Sequence, residues 1–174
     1  MIRKHILIVG IWLLLVCVAC SQIDEKRFDR NRFDKVNSTV KALQHSISSG
    51  EDYPQLGALI QQLSSEIEAL NVSVTSRKER DLVQEYSELL KMYQDGFLLW
   101  KYRAEFSSHN FLPKGRIYVG QDVEPIVVKY RLRTETHVFE PTQQIWKSIA
   151  EDSIRIIWNN ADAQVKIINT ILNY

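Results

Sequence analysis

The chain has 174 residues, with 22 Lys and Arg against 21 Asp and Glu, and is 45% hydrophobic and 25% charged. This is ordinary composition for one globular domain, long enough to bury a core without covalent staples; the even charge balance excludes the strongly basic footprint of a nucleic-acid-binding protein. Cys17 and Cys20 are the only cysteines and both lie near the N-terminus, so a disulfide framework and a cysteine-based metal knuckle are excluded from the rest of the chain.

Arg3 and Lys4 precede Ile6 to Ala19, "ILIVGIWLLLVCVA", fourteen residues without a charge. A positive start followed by a short apolar run is the form of a secretory signal. Crossing the hydrocarbon core takes roughly 20 apolar residues. Counting Ser21 and Gln22 extends the uncharged stretch to Ile23, eighteen residues in all, so an uncleaved N-terminal anchor is the alternative reading.

The run ends in "CVAC", with Ala19 before Cys20 and Val18 before that. This resembles the lipobox of bacterial lipoproteins, departing from it at Cys17, where Leu is usual. The resemblance is confined to the first twenty residues or so. It implies that Cys20 is diacylated and becomes the first residue of the mature chain, and that Ser21, in place of Asp, directs the protein to the outer membrane, facing the periplasm. Ordinary cleavage after Ala19 would instead leave a secreted chain with one free thiol, a liability in an oxidising compartment. Loss of Arg3 and Lys4 with the leader leaves 20 basic and 21 acidic residues.

The next stretch, "DEKRFDRNRFDK" from Asp24 to Lys35, interleaves five basic with four acidic residues and reads as a solvated helix face rather than a membrane contact. Phe33, Val36, Val40, Leu43 and Ile47 recur at steps of three and four, which predicts a first helix from about Glu25 to Ser49, stopped by Gly50. Pro54 opens a second, with Leu56, Ile60, Leu63, Ile67 and Leu70 along its seam. Ser76 and Glu79 match a capping box and open a third, carrying Leu82, Tyr86, Leu89, Tyr93, Phe97 and Trp100 to about Phe106. Gly96 within it marks a candidate close helix approach.

Pro113, Gly115, Gly120 and Pro125 then break the pattern. Arg116 to Val119 fits extended chain, and Asp122 fits the cap of a short helix through Tyr130. After a turn through "RTETHVFEP", Pro141 is expected to start a last long helix, with Trp146, Ala150, Ile154, Ile157, Ala161, Val165, Ile168 and Leu172 on one stripe. Trp100 and Trp146 read as core and Trp158 as the seam's edge. The fold expected is all-α: an antiparallel four-helix bundle with one long connection, carrying a short helix, between the third and fourth long helices. Residues 1–19 are then the signal, 20–24 the tether and 25–174 the bundle.

Little in the body points to chemistry. No Glu-x-x-His pair of a di-iron bundle, no Gly-x-Ser-x-Gly elbow and no phosphate loop is present. His109, Glu135, His137 and Glu140 form the one candidate metal set, should the long connection fold back, and would make the chain a metal-binding periplasmic enzyme; their spacing matches no zinc motif. Lys114, Arg116, Lys129, Arg131 and Arg133, beside Tyr118 and Tyr130, are a candidate pocket for an anionic envelope glycan or an acidic protein patch. The reading carried forward is a non-enzymatic binding or structural module without a cofactor, held on a membrane through Cys20 and partnered by another envelope component, with an uncleaved membrane-anchored structural protein as the alternative.

Overall fold

The computed structural model describes residues 28–50, 53–106 and 113–174. These are mostly helical, as the periodicity predicts, with a small three-stranded antiparallel sheet that it does not predict. Cys20 and the leader lie outside the described residues.

A 3-10 turn, Arg30–Phe33, leads into α1, Asp34–Ser49. The Asp29 carboxylate accepts the Asn31 amide at 3.1 Å and starts the turn. Helix α1 stops at Gly50, whose φ of 68° is the left-handed conformation that an L side chain disfavours. Helices α2, Tyr53–Ser73, and α3, Arg77–Phe106, follow. The capping box between them is formed. The Glu79 amide donates to Ser76 Oγ at 3.2 Å, and the Ser76 amide donates back to Glu79 Oε2 at 3.1 Å.

Strand β1, Arg116–Tyr118, lies in the stretch expected to be extended, and α4 is the expected short helix, Glu124–Tyr130. Asp122 does not cap α4; it accepts a hydrogen bond from the Tyr102 hydroxyl at 3.2 Å. The last long helix begins thirteen residues later than Pro141, where the sequence places its start. Residues expected as a turn and the first half of the last helix form a hairpin, β2, Thr134–Phe139, and β3, Gln144–Ala150, with Pro141 in its turn. After a 3-10 turn, Glu151–Ser153, the last helix α5 spans Ile154–Asn173. Both hairpin arms are rich in β-branched and aromatic residues and alternate side chains between two faces, which suits a pleat better than a helix. Trp146 and Ala150 fit the helical stripe by spacing alone; Trp146 is half-buried on the sheet instead.

The buried apolar residues fall in two clusters. The first joins the seams of α1, α2, α3 and α5, including Phe33, Leu43, Leu63, Leu82, Tyr86 and Ile168. The second packs the sheet and α4 on the distal half of α3 and the start of α5, through Leu99, Ile117, Val123, Ile149 and Ile157. Each such side chain, fully buried, contributes roughly 2 kcal/mol. Helices α3 and α5 thread both clusters and run antiparallel, since Trp158 meets Gly96 while Gln164 donates to the Glu85 side chain. Trp100 and Trp158 pack against both clusters and join them.

Candidate functional site

The sheet order is β1-β3-β2, with Tyr118 and Glu135 both opposite Ser148, and His137 opposite Trp146. Strand alternation therefore places Arg116, Tyr118, Glu135, His137, Trp146 and Ser148 on one face. Ile117 and Ile149 on the other face are fully buried against the helices.

At the centre is Ser148, with no exposed surface. Its hydroxyl accepts from Arg116 Nε at 2.9 Å and shares a 2.8 Å hydrogen bond with His137 Nε2. Arg116 Nη2 also pairs with Glu135 at 3.0 Å. The His137 ring stacks on Trp146 with centroids 4.1 Å apart, and Tyr118 lies 6.4 Å from Trp146 on its other flank. A serine hydroxyl within reach of an imidazole is the geometry of an activated nucleophile. Ser148 does not present itself as one, because it is sealed from solvent and its oxygen is already an acceptor for the Arg116 guanidinium. The arrangement orders the polar side of the sheet.

Of the candidate metal set, Glu135 and His137 share this face, but each is engaged as above. Glu140 sits exposed in the hairpin turn, where its carbonyl accepts from Gln143 Nε2 at 2.8 Å. His109 lies outside the described residues. Among the described residues, no three His, Cys, Asp or Glu side chains gather to hold a metal ion.

The candidate basic pocket is dispersed in the same way. Arg116 belongs to the sheet face, whereas Lys129 Nζ pairs with Asp95 of α3 at 2.7 Å and the Tyr130 hydroxyl donates to the same carboxylate at 2.9 Å. Burial, with Asp95 as acceptor, pushes the Tyr130 phenol above its ordinary range. Lys114, Arg131 and Arg133 are exposed. Arg131 closes α4 in the left-handed conformation, with φ of 52°.

Like the Ser148 cluster, a second polar feature is marked by no motif in the sequence. A groove of about 510 Å³ between α1 and α2 is lined by Val36 and Leu70, with Arg32, Lys35, Gln62 and Glu66 around them. Glu66 is only 5% exposed; Oε1 accepts from Gln62 Nε2 at 2.8 Å, while Oε2 has no hydrogen-bond partner among the described residues. The signal available in the sequence was a glutamate adjacent to Ile67 on an otherwise apolar seam.

Comparison with protein-family models, curated proteins and solved structures finds no match to this chain.

Proposed function

We propose that this chain is a lipid-anchored protein of the bacterial cell envelope that acts by binding or scaffolding rather than by catalysis. The observation that carries the reading is Cys20, placed directly after Val18 and Ala19 at the end of an apolar run that opens with Arg3 and Lys4. Two or three acyl chains on Cys20, each contributing about 0.8 kcal/mol per buried methylene, hold a polypeptide stably on a bilayer without inserting it. Among the described residues no helix is long and apolar enough to cross a membrane.

In this reading the four long helices act as an antiparallel bundle, a rigid stalk that carries the sheet at one end. The side chains most suggestive of chemistry, Ser148 and His137, serve to order that sheet. The envelope partner is recognised by surface rather than by a reactive centre, and Ser21 places the anchor in the outer membrane.

Intact mass of the protein extracted from membranes tests the proposal, beside a Cys20→Ala variant. A mass equal to Cys20 to Tyr174 plus acyl and glyceryl groups, lost in the variant, is expected. An unmodified full-length mass would replace the anchor with an uncleaved span, and an unlipidated chain starting at Cys20 would make the protein freely secreted.

A further inference from the structure

The 3-10 turn, the α2–α3 junction and the end of α5 meet at one end of the helical body. Three contacts join the first two. The Asp29 amide donates to Glu79 at 3.3 Å, the Arg32 guanidinium donates to the Ser73 carbonyl at 3.0 Å, and Lys78 lies 4.2 Å over the Phe28 ring. The antiparallel course of α5 along α3, with Trp158 at Gly96 and Gln164 at Glu85, carries its last turn toward the first turns of α3, where Leu172 and Leu82 are both buried in the first cluster.

Charge gathers at this end from segments distant in sequence. Residues 28–32, 70–81 and 169–174 hold five basic residues, Arg30, Arg32, Arg77, Lys78 and Arg80, against three acidic ones, Asp29, Glu79 and Asp81. Two of the acids are turned inward or locally engaged. Glu79 is 1% exposed and holds backbone amides, and Asp29 caps the 3-10 turn beside Arg32, 3.6 Å away. Of the cations, Arg30, Arg32, Arg77 and Arg80 are all exposed; Arg32 also pairs with Asp29 and Glu79, and Arg80 donates to the Thr75 carbonyl at 2.7 Å, so Arg30 and Arg77 carry the argument. The same end carries the two most exposed large hydrophobic side chains among the described residues, Val72 at 90% and Tyr174 at 96%. Basic residues around protruding apolar and tyrosine side chains are the composition that a headgroup layer accepts, charge toward the phosphates and rings at the interface.

The chain's own length limits what this end can meet. Seven residues, 21–27, separate Cys20 from Phe28. Fully extended they span about 24 Å at roughly 3.4 Å each. Helix α3, with 30 residues at 1.5 Å each, is about 45 Å long.

We infer that this end of the helical body is a membrane-contact surface, which seats on an anionic phospholipid bilayer through Arg30, Arg77 and their neighbours, with Val72 and Tyr174 at the headgroup level. Arg30, expected from the sequence on a solvated helix face, then lies at the bilayer, because the 3-10 turn sets it beside the α2–α3 junction. The inference rests on the anchor reading above, because Cys20 in the bilayer keeps Phe28 close to it. Its consequence is an orientation. The body stands end-on, and the sheet bearing His137 and Trp146, packed on the distal half of α3, is held away from the membrane.

The test uses the full acylated protein in vesicles of phosphatidylcholine alone and with about a third phosphatidylglycerol. A nitroxide on Val72→Cys or Ile145→Cys, each then the one free thiol of a chain beginning at acylated Cys20, reads collisions with a water-soluble nickel chelate. At position 72 accessibility is expected to fall severalfold in the anionic vesicles and to return in high salt; at position 145, on the hairpin, it stays unchanged. Arg30→Glu with Arg77→Glu is expected to abolish the protection while the protein still floats with the vesicles. Equal accessibility at 72 in both vesicle types, or protection that survives the charge reversal, overturns the inference. The anchor is scored separately, by mass. If the chain lacks acyl groups, flotation decides: binding to anionic but not neutral vesicles, falling roughly fivefold for each basic residue removed, sustains the surface contact, and binding to neither overturns it too.

Discussion

The indole of Trp158 lies directly over the bare Cα of Gly96, so close that any Cβ there would overlap the six-membered ring. This contact lets α5 approach α3 at the junction of the two core clusters, where Trp158 also meets Tyr93 with ring centroids 6.3 Å apart. Gly96→Ala would gain about 1 kcal/mol of helix propensity on an isolated helix. Here it is expected to destabilise by a net 1–3 kcal/mol, because the added methyl forces the ring or the helix to move. Urea unfolding checks this, and Trp158→Leu in the same chain should recover part of the loss. Gly57→Ala, whose Cβ would come 3.0 Å from the tip of the Phe97 ring, should cost less.

Glu79 makes the fold acid-sensitive in a defined window. Burial alone would raise its carboxyl, but donors from Thr75, Ser76 and Asp29 outweigh that and hold it at about 2, from an ordinary 4.5. A folded-state value below the unfolded one means that the unfolded chain binds the extra proton first. The stabilisation is therefore complete above about pH 4.5 and is lost as pH falls toward 2, amounting to roughly 2–3 kcal/mol. Glu79→Gln should lower stability at pH 7 and flatten that acid slope. Unfolding free energies measured from pH 7 to pH 2 in both proteins decide it; parallel curves would count against the assignment.

The helical part of this fold was legible in the sequence because burial on one face imposes a period that Leu43, Leu63, Leu82 and Ile168 obey. Gly50 and the Ser76 and Glu79 pair marked boundaries by local backbone chemistry, which acts without tertiary help. The hairpin was hidden for a physical reason. Its residues from Thr134 to Ala150 carry no clean period of two, since Val138 and Ile145 are exposed while the adjacent Ser148 and Ile149 are both buried, and Trp146, Ala150 and Ile154 sit at steps of four, so the helical period was the one the sequence displayed. The Ser148 cluster was illegible for another reason. Arg116, Glu135, His137 and Ser148 are joined by strand register, and register is fixed only once three strands pair. The basic end likewise combines Arg30 with Arg77, 47 positions apart.

If Ser148 orders the sheet rather than reacting, the intact protein should not be labelled by serine-directed fluorophosphonate probes, since its hydroxyl has no exposed surface. Ser148→Ala should destabilise by about 1–2 kcal/mol, leaving Arg116 Nε and His137 Nε2 without that partner. Gel fluorescence after probe treatment and thermal unfolding give the two readings. Labelling at Ser148 in the folded chain would restore a catalytic role for His137.

Glu66 offers the opposite kind of prediction, a gain. Its carboxylate is buried, with one oxygen held by Gln62 and the other without a hydrogen-bond partner among the described residues. Lys35 approaches to 3.7 Å, but its side chain is 78% exposed, so water screens the pair and it offsets little of the desolvation cost. Glu66→Met keeps the volume and the helix propensity while removing the charge, and Gln62 retains Thr39 Oγ1 at 3.0 Å. Stability is expected to rise by about 1 kcal/mol, or 2–4 °C in Tm, whereas Glu66→Ala should lower it by opening space beside Leu70 and Val36. Scanning calorimetry separates the cases. A loss of stability in Glu66→Met as large as in Glu66→Ala would mean that the carboxylate holds α2 against α1 through its charge.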